Sequence, residues 1–398
     1  MAPPRTLVIV LAGGAGGRLG LLTESRAKPS VRFGGRYRMI DFALSNCANS
    51  KLTDVWVLQQ HNPASLNDHL ANGRPWSLDR NDGGLLMLPP HLGSDREGWS
   101  KGTADTLWRK ASLIREFDPD VMIVLSADAV YRYDYDALAH AHLASDAVVT
   151  MVTTEVTEDP SRYGVVEVDG DRIAGYEYKP KEPKSNLITT EVFAFTPRPT
   201  LELLDDVAES RPWKKGDRDL GHDLLPRLVA DGAARELRHR DYWQDVGTID
   251  AFWNAHMELT NDDPPFRLDD SDWPIWSADE PHGPAVLTQT GTVVSALLGA
   301  GARVAGNVER SVLGPAVVVE PGAVVRHAVL HDGVVVRSGA VIDHAIVDER
   351  TEIGADARVG APPTDDDEPR IAVVRGSEVV PAGTVIDAGT EWPEPPSD

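Results

Sequence analysis

Three groups of residues in this chain have the type and spacing to handle phosphates. The first is the run LAGGAGGRLG at residues 11–20. A glycine-rich turn after an apolar strand presents bare backbone N–H groups and lets the chain approach a phosphate closely; a tight turn with no ligand is the alternative. A dinucleotide-binding turn needs G-x-G-x-x-G or a near variant. Counted from Gly14, the third small position is Leu19, so that reading fails. Arg18 inside the loop suggests instead a cation held against a reacting triphosphate. The second group is acidic. Asp128 follows the apolar run VMIVLS, and Asp245 stands in a similar strand-to-turn context in YWQDVGT. Ligands of open α/β sheets gather at strand ends, although a lone Asp there more often caps a helix or closes a turn. The third group is lysine. Only nine of the 39 basic residues are lysines, so under an Arg-rich composition each one carries more weight.

Those residues need a scaffold, and residues 1–260 supply an alternation of strand-like and helix-like segments. Strands are expected at Thr6–Leu11, Asp54–Gln59, Val121–Ser126, Ala147–Thr154 and Glu191–Phe195, with helices at Ala104–Glu116 and Asp136–Ser145. This pattern argues for an α/β, Rossmann-like domain with a mainly parallel sheet. Residues 261–284 are rich in Pro, Asp and Trp and read as a linker packed by its tryptophans. In residues 285–398 aliphatics recur every six positions in two frames. One is Val312, Val318, Val324, Leu330, Val336 and Ile342; the other is Val329, Val335, Val341, Val347, Ile353 and Val359. Hexad spacing is the signature of a left-handed parallel β-helix. About three coils are implied, followed by a final strand and an acidic, frayed tail. His327, His331 and His344 read as solvent-facing turn residues; acyltransferase chemistry at the hexads would rest on them alone.

Composition narrows the partners. The 398 residues carry a formal net charge of −23, which argues against nucleic acid and against an anionic membrane surface. With 41% hydrophobic residues, a packed core is expected. The single cysteine, Cys47, allows no internal disulfide. The N-terminal apolar run is too short for a membrane span and lacks a small-residue cleavage pattern, and no other stretch reaches about 18 apolar residues. A cytoplasmic protein is expected.

The stretch RAKPSVRFGGRYRMIDFALSNCANS at 26–50 resembles the ADP-glucose pyrophosphorylases (glucose-1-phosphate adenylyltransferases). The match is reinforced by GTADTL at 102–107, LSADAVY at 125–131, YGVVEVD at 163–169, KP at 179–180, YWQDVGTIDAFW at 242–253 and the C-terminal hexads. It implies AMP transfer from ATP to a sugar 1-phosphate, dependent on Mg²⁺, in glycogen or α-glucan synthesis by a homotetramer. By the same resemblance Arg18, Lys28 and Asp128 are catalytic, and Asp128 and Asp245 hold the metal. Leu11, Gly13, Gly14, Gly16, Gln60, Gly102 and Thr103 would contact the nucleotide, with Asp105 beside them. Ser100, Gly164, Tyr178, Lys179, Thr189 and Asp245 would contact the sugar phosphate. Asp41 and Asn46 fall in the IDFALSN motif, where Asp41 is as well explained by a helix cap.

The departures from the family pattern lie mostly on the sugar side. The family's EKP reads Tyr178-Lys179-Pro180, with Glu177 on the opposite face by strand alternation unless a bulge intervenes. Its S-M-G reads Thr189-Thr190-Glu191, its Tyr before GTAD is Ser100, and its GDH is Ala127-Asp128-Ala129. Two readings follow: an active nucleotidyltransferase with an altered sugar pocket, or a non-catalytic paralogue that regulates an active homologue within a hetero-oligomer. Arg26, Arg32, Arg36 and Arg38 would form an interdomain anion site or serve interface ion pairs.

Overall fold

The computed structural model describes residues 3–13, 16–60, 62–89, 100–210, 218–278, 281–364 and 368–393. By spatial contacts the chain forms two compact units. The first comprises residues 1–14, 42–127 and 131–243; the second comprises 15–41, 128–130 and 244–398. The N-terminal 260 residues therefore contribute to both.

Among the described residues, the main sheet of the first unit has nine strands. They are β1 (Thr6–Ala12), β2 (Asp54–Gln59), β3 (Gly84–Leu88), β4 (Val121–Ser126), β5 (Val149–Glu155), β6 (Gly164–Asp169), β7 (Arg172–Tyr178), β8 (Leu187–Phe195) and β9 (Ala234–Arg238). They form one sheet in the order β3-β2-β1-β4-β8-β5-β9-β7-β6. Apolar runs such as LVIV and VMIVL are buried on both faces, as central parallel strands require. The first four strands run parallel. β8 then runs antiparallel to both β4 and β5, and β7 runs antiparallel to β6 and β9. The sheet is thus mixed, where the alternation of segments predicts a mainly parallel one; an apolar run carries no sign of its direction. The helix expected at 104–116 is two, Thr103–Trp108 and Ala111–Phe117, with Lys110 at φ −101° and ψ 2° between them. Helix Tyr135–Leu143 is capped by Asp134, whose carboxylate accepts the N–H groups of Asp136 and Ala137.

In the second unit the hexads form a parallel β-helix. Each of its three faces carries six strand levels among the described residues, twice the coils expected. Partners in the middle coils are 17 residues apart, as in Val312 with Val329 and Val329 with Ile346. The inward row runs Leu313, Val319, Val325, Leu330, Val336, Ile342, Val347, Ile353, Val359, all buried. Its steps are six, six and five residues, so the row slips by one at each coil. That slip is why the sequence shows two frames. The outer coils escaped the hexad count because one coil is shorter (Arg303 with Val318) and another carries the polar segment after Gly360 (Arg358 with Val385). Segment 261–284 is anchored by Phe266 and Ile275, while Trp276 is exposed.

Several polar residues from the sequence motifs serve this second unit. Asp41 is fully buried in the first turn of helix Met39–Asn49 and accepts the Arg38 N–H at 2.8 Å, which is the capping role. Arg26 is buried and pairs through both terminal nitrogens with Asp348, each at 2.9 Å. Arg32 pairs with Asp332 and Glu349. Burial alone would raise the Asp348 carboxyl; hydrogen bonding from His331 and the Arg26 charge hold it down at about 2. Arg26 and Arg32 are ion-paired to carboxylates, which favours the ion-pair alternative for both over an anion site. His331 and His344 are buried and His327 is half-buried, so the expectation of solvent-facing histidines fails.

Candidate active site

Four charged residues of the second unit converge. Lys28 opens a one-turn helix, Lys28–Ser30, which buries it to 5% exposure. Asp128 stands just before strand Ala129–Tyr131, and Asp245 ends strand Trp243–Asp245; these two short strands pair. The Lys28 ammonium donates to Asp128 Oδ2 at 2.6 Å and lies 3.7 Å from Asp245 Oδ1. Burial works against its charge, but the two carboxylates outweigh burial and raise its pKa above the ordinary lysine value. A Cβ added to Gly247 would sit 2.8 Å from Asp245 Oδ1, 2.9 Å from Lys28 Nζ and 3.2 Å from an Arg18 guanidinium nitrogen. The ends of the Arg18, Lys28 and Asp245 side chains therefore close around the Gly247 backbone, and a methyl group there would push them aside. Sequence reasoning missed Gly247, although it stands in the QDVGT motif. Two carboxylates sharing one ammonium form a donor set that also suits a hard divalent cation completed by water and phosphate oxygens. Their side chains are 29% and 14% exposed.

The loop leading to Arg18 is shaped by Thr23, whose hydroxyl donates to the carbonyls of Gly16 and Gly20. Arg18 itself is exposed. Gly14 lies outside the described residues.

The first unit holds two further groups. Leu11 and Gly13 lie at the end of β1, and the Gln60 amide lies 2.6 Å from where a Gly13 Cβ would be. Gln60 Nε2 donates to Ser100 Oγ and Thr106 Oγ1, each at 2.6 Å. Ser100, read with the sugar residues, thus stands with the nucleotide group. Next to it, Gly102 adopts φ +114°, and a Cβ there would meet the Arg218 carbonyl oxygen at 2.5 Å. The Thr103 N–H and hydroxyl both donate to Asp219 Oδ1. Asp105 is wholly buried; it pairs with Arg109 at 3.1 Å and Arg218 at 3.2 Å, and accepts the Lys101 N–H. It braces this turn from behind. Gly102→Ala should displace the turn, since backbone rather than a flexible side chain blocks the new methyl; nucleotide binding measured by calorimetry should weaken at least tenfold.

The second group lies along β7 and β8. Tyr178 packs its ring on Gly221, 4.7 Å from His222, with the Lys179 ammonium 4.6 Å above it. Glu177 is exposed, as strand alternation predicts. Tyr176, two residues before Tyr178 and on the same face, was missed; the i, i+2 relation was the available signal. Gly164, at the start of β6, faces the Tyr176 ring and the Thr189 hydroxyl. Burial, with the charges of Tyr178, Glu191 and Asp219, pushes the Tyr176 phenol well up. Glu191 stands at φ +58°, where the β5–β8 pairing breaks between Thr189 and Phe193. A non-glycine residue there stores strain of order 1 kcal/mol or more. Asn46 bonds the backbone of Tyr131 and Tyr133 instead of lining either group.

The family model for nucleotidyl transferases matches residues 7–262, and that for the GlmU-like C-terminal hexapeptide matches 285–380. Among curated proteins, the chain is 36% identical over 322 residues to a glucose-1-phosphate adenylyltransferase of Fervidobacterium nodosum, covering 80% of this chain and 77% of that one. It is 40% identical over 326 residues to one of Thermotoga sp. (81% and 76%). A third, from Fusobacterium nucleatum, is 38% identical over 317 residues (79% and 82%).

Proposed function

Since this chain belongs to the glucose-1-phosphate adenylyltransferases, within the nucleotidyl transferase family, we propose that it transfers AMP from ATP to glucose 1-phosphate. ADP-glucose and pyrophosphate are the products, and α-glucan synthesis is the use. The observation that carries this reading is the convergence of Lys28, Asp128 and Asp245, with Arg18 packed beside them at Gly247.

A sugar-phosphate oxygen forms a bond to the α-phosphorus as the bond from that phosphorus to the bridging β-phosphate oxygen breaks. Such a step needs in-line alignment and relief of accumulating negative charge. Lys28 and Arg18 are the cations this reading assigns to the phosphates. Asp128 and Asp245 would hold Mg²⁺, which supplies charge neutralisation at the phosphate oxygens when bound. Lys28 also keeps the two carboxylates from repelling one another. Gly13, Gln60, Gly102 and Thr103 are assigned to the nucleotide. Gly164, Tyr178, Lys179 and Thr189 are assigned to the sugar phosphate, where Tyr176 joins them.

No helix among the described residues is long and apolar enough to cross a membrane. The need for ATP supports a cytoplasmic location. A homotetramer completes the proposal, supported by apolar side chains exposed on the first coil of the β-helix, Val286, Leu287 and Val294.

A pyrophosphate-release panel of sugar 1-phosphates and nucleoside triphosphates tests the substrates; ATP with glucose 1-phosphate should be the best pair. In Tyr178→Glu, the KM for glucose 1-phosphate should fall several-fold with kcat little changed. Silence with every pair at high protein and Mg²⁺ would overturn the catalytic reading. Metabolite-dependent stimulation of an active homologue by the silent protein would then favour the regulatory alternative.

A further inference from the structure

We propose that His327, Asp343 and His344 form a transition-metal site of the zinc class on the β-helix, separate from the phosphate-handling residues. Strands Val324–Leu330 and Val341–Val347 pair in parallel, with Arg326 opposite Asp343 and Ala328 opposite Ala345. His327 and His344 occupy the same corner of successive coils. Both take left-handed backbone, φ +44° and +49°, which turns the two side chains out of the strand in the same way. Their rings stack with centroids 4.6 Å apart and 22° between planes.

Both imidazoles aim one nitrogen at one carboxylate oxygen. His344 Nδ1 lies 2.6 Å from Asp343 Oδ1, and His327 Nδ1 lies 3.7 Å from the same atom. One potential ligand atom from each residue falls within 4.8 Å of the others. Bonds of about 2.0–2.2 Å to one ion require separations no greater than about 4 Å, a closure within reach of small side-chain rotations.

A stacked histidine ladder would explain the rings but leaves two facts over. His327 Nδ1 is buried and has no hydrogen-bond partner among the described residues, an expense that a bound cation removes. Asp343 is a buried carboxylate whose close nitrogen neighbours are two imidazoles. A neutral imidazole is the form that ligates metal, and the nearby Arg310 guanidinium is tied to Asn261 at 2.9 Å.

The surroundings suit a fixed site. The Trp253 indole lies tilted against His344, 5.3 Å between ring centroids, and donates its N–H to the His327 carbonyl at 2.7 Å. His327 is 31% exposed at its side chain, leaving a path for the ion and for solvent ligands. Two imidazoles and one carboxylate select zinc, cobalt or nickel over magnesium.

The test uses the full chain, stripped with EDTA and titrated with Co²⁺ while the visible d–d absorption is recorded. With excess Mg²⁺ present to occupy the Asp128–Asp245 pair, one Co²⁺ per chain should still bind, and Zn²⁺ should displace it. Affinity should fall at least tenfold in His327→Ala and His344→Ala, and stay unchanged in Asp128→Asn. Zn²⁺ should raise the melting temperature of the wild type and leave that of His327→Ala where it is. If either alanine variant fails to melt like the wild type in EDTA, His327→Gln takes its place. No Co²⁺ spectrum, a spectrum that survives loss of His327, or one lost with Asp128 would each overturn the site.

Discussion

Asp128→Asn lowers kcat for ADP-glucose formation by about 100-fold or more, while the melting temperature stays within a few degrees of the wild type. Asparagine keeps the shape of the side chain and removes its charge. In the native protein that charge sits 2.6 Å from the Lys28 ammonium. Without it, the reacting phosphates lose a carboxylate assigned to Mg²⁺ and a partner that orients Lys28. Loss of one preorganised electrostatic group costs roughly 10²–10³ in rate. Folding is spared because Lys28 retains Asp245 at 3.7 Å, and Asp128 is 29% exposed. Steady-state kinetics with a parallel thermal melt checks both halves. An Asp128→Asn protein with wild-type kcat would remove this carboxylate from the mechanism.

The second large effect falls on stability. Asp105→Ala should destabilise the first unit by about 3–5 kcal/mol, since it removes a buried carboxylate that is paired with the Arg109 and Arg218 guanidinium groups. Asp105 has no solvent exposure, and Arg218, one of its two arginine partners, is 3% exposed. The same carboxylate receives the Lys101 N–H at 2.8 Å, so the turn carrying Gly102 and Thr103 loses its brace as well. Asp105→Asn should cost less, because the amide oxygen can still accept from the backbone. Urea unfolding of the two variants measures the difference; a midpoint unchanged in Asp105→Ala would contradict the bracing role.

The chain discloses these two kinds of residue unevenly. Asp128 was within reach because it follows a strand that reads directly from its apolar run, and β2 and β4 have the bounds the sequence predicts; Asp245, which ends the three-residue strand WQD, was reached through the resemblance of YWQDVGT. Lys28 stood out because lysine is scarce and because it falls on a KP motif of the resemblance. Asp105 was read as bordering the nucleotide, because the GTAD motif gives no hint that Arg109 and Arg218 enclose it. The pairing of Arg218 with Asp105 spans more than a hundred residues, and no local pattern encodes it. For the same reason Gly247 was missed: its constraint comes from Lys28 and Arg18, distant in the chain. Tyr176 was closer to hand, since a strand that presents Tyr178 to one face must present Tyr176 to it too.

Direction and register were the weakest part of the sequence reading. Nothing in EVFAF says that β8 runs against its neighbours. Hexads reveal a β-helix, yet steps of six, six and five residues split one inward row into two apparent frames, and irregular outer coils hid half the coils. The excess negative charge, −23 over the chain, describes solvent-facing surface. Where Lys28 and Arg18 meet Asp128 and Asp245, cations and carboxylates are equal in number.

The central claim is that this chain joins AMP from ATP to glucose 1-phosphate. ³¹P NMR of the wild-type protein with ATP, glucose 1-phosphate and Mg²⁺ follows both products at once. ADP-glucose and pyrophosphate should appear in equal amounts as ATP declines, and removal of Mg²⁺ should stop both. A spectrum in which ATP persists unchanged, or is hydrolysed with glucose 1-phosphate left intact, would contradict the account.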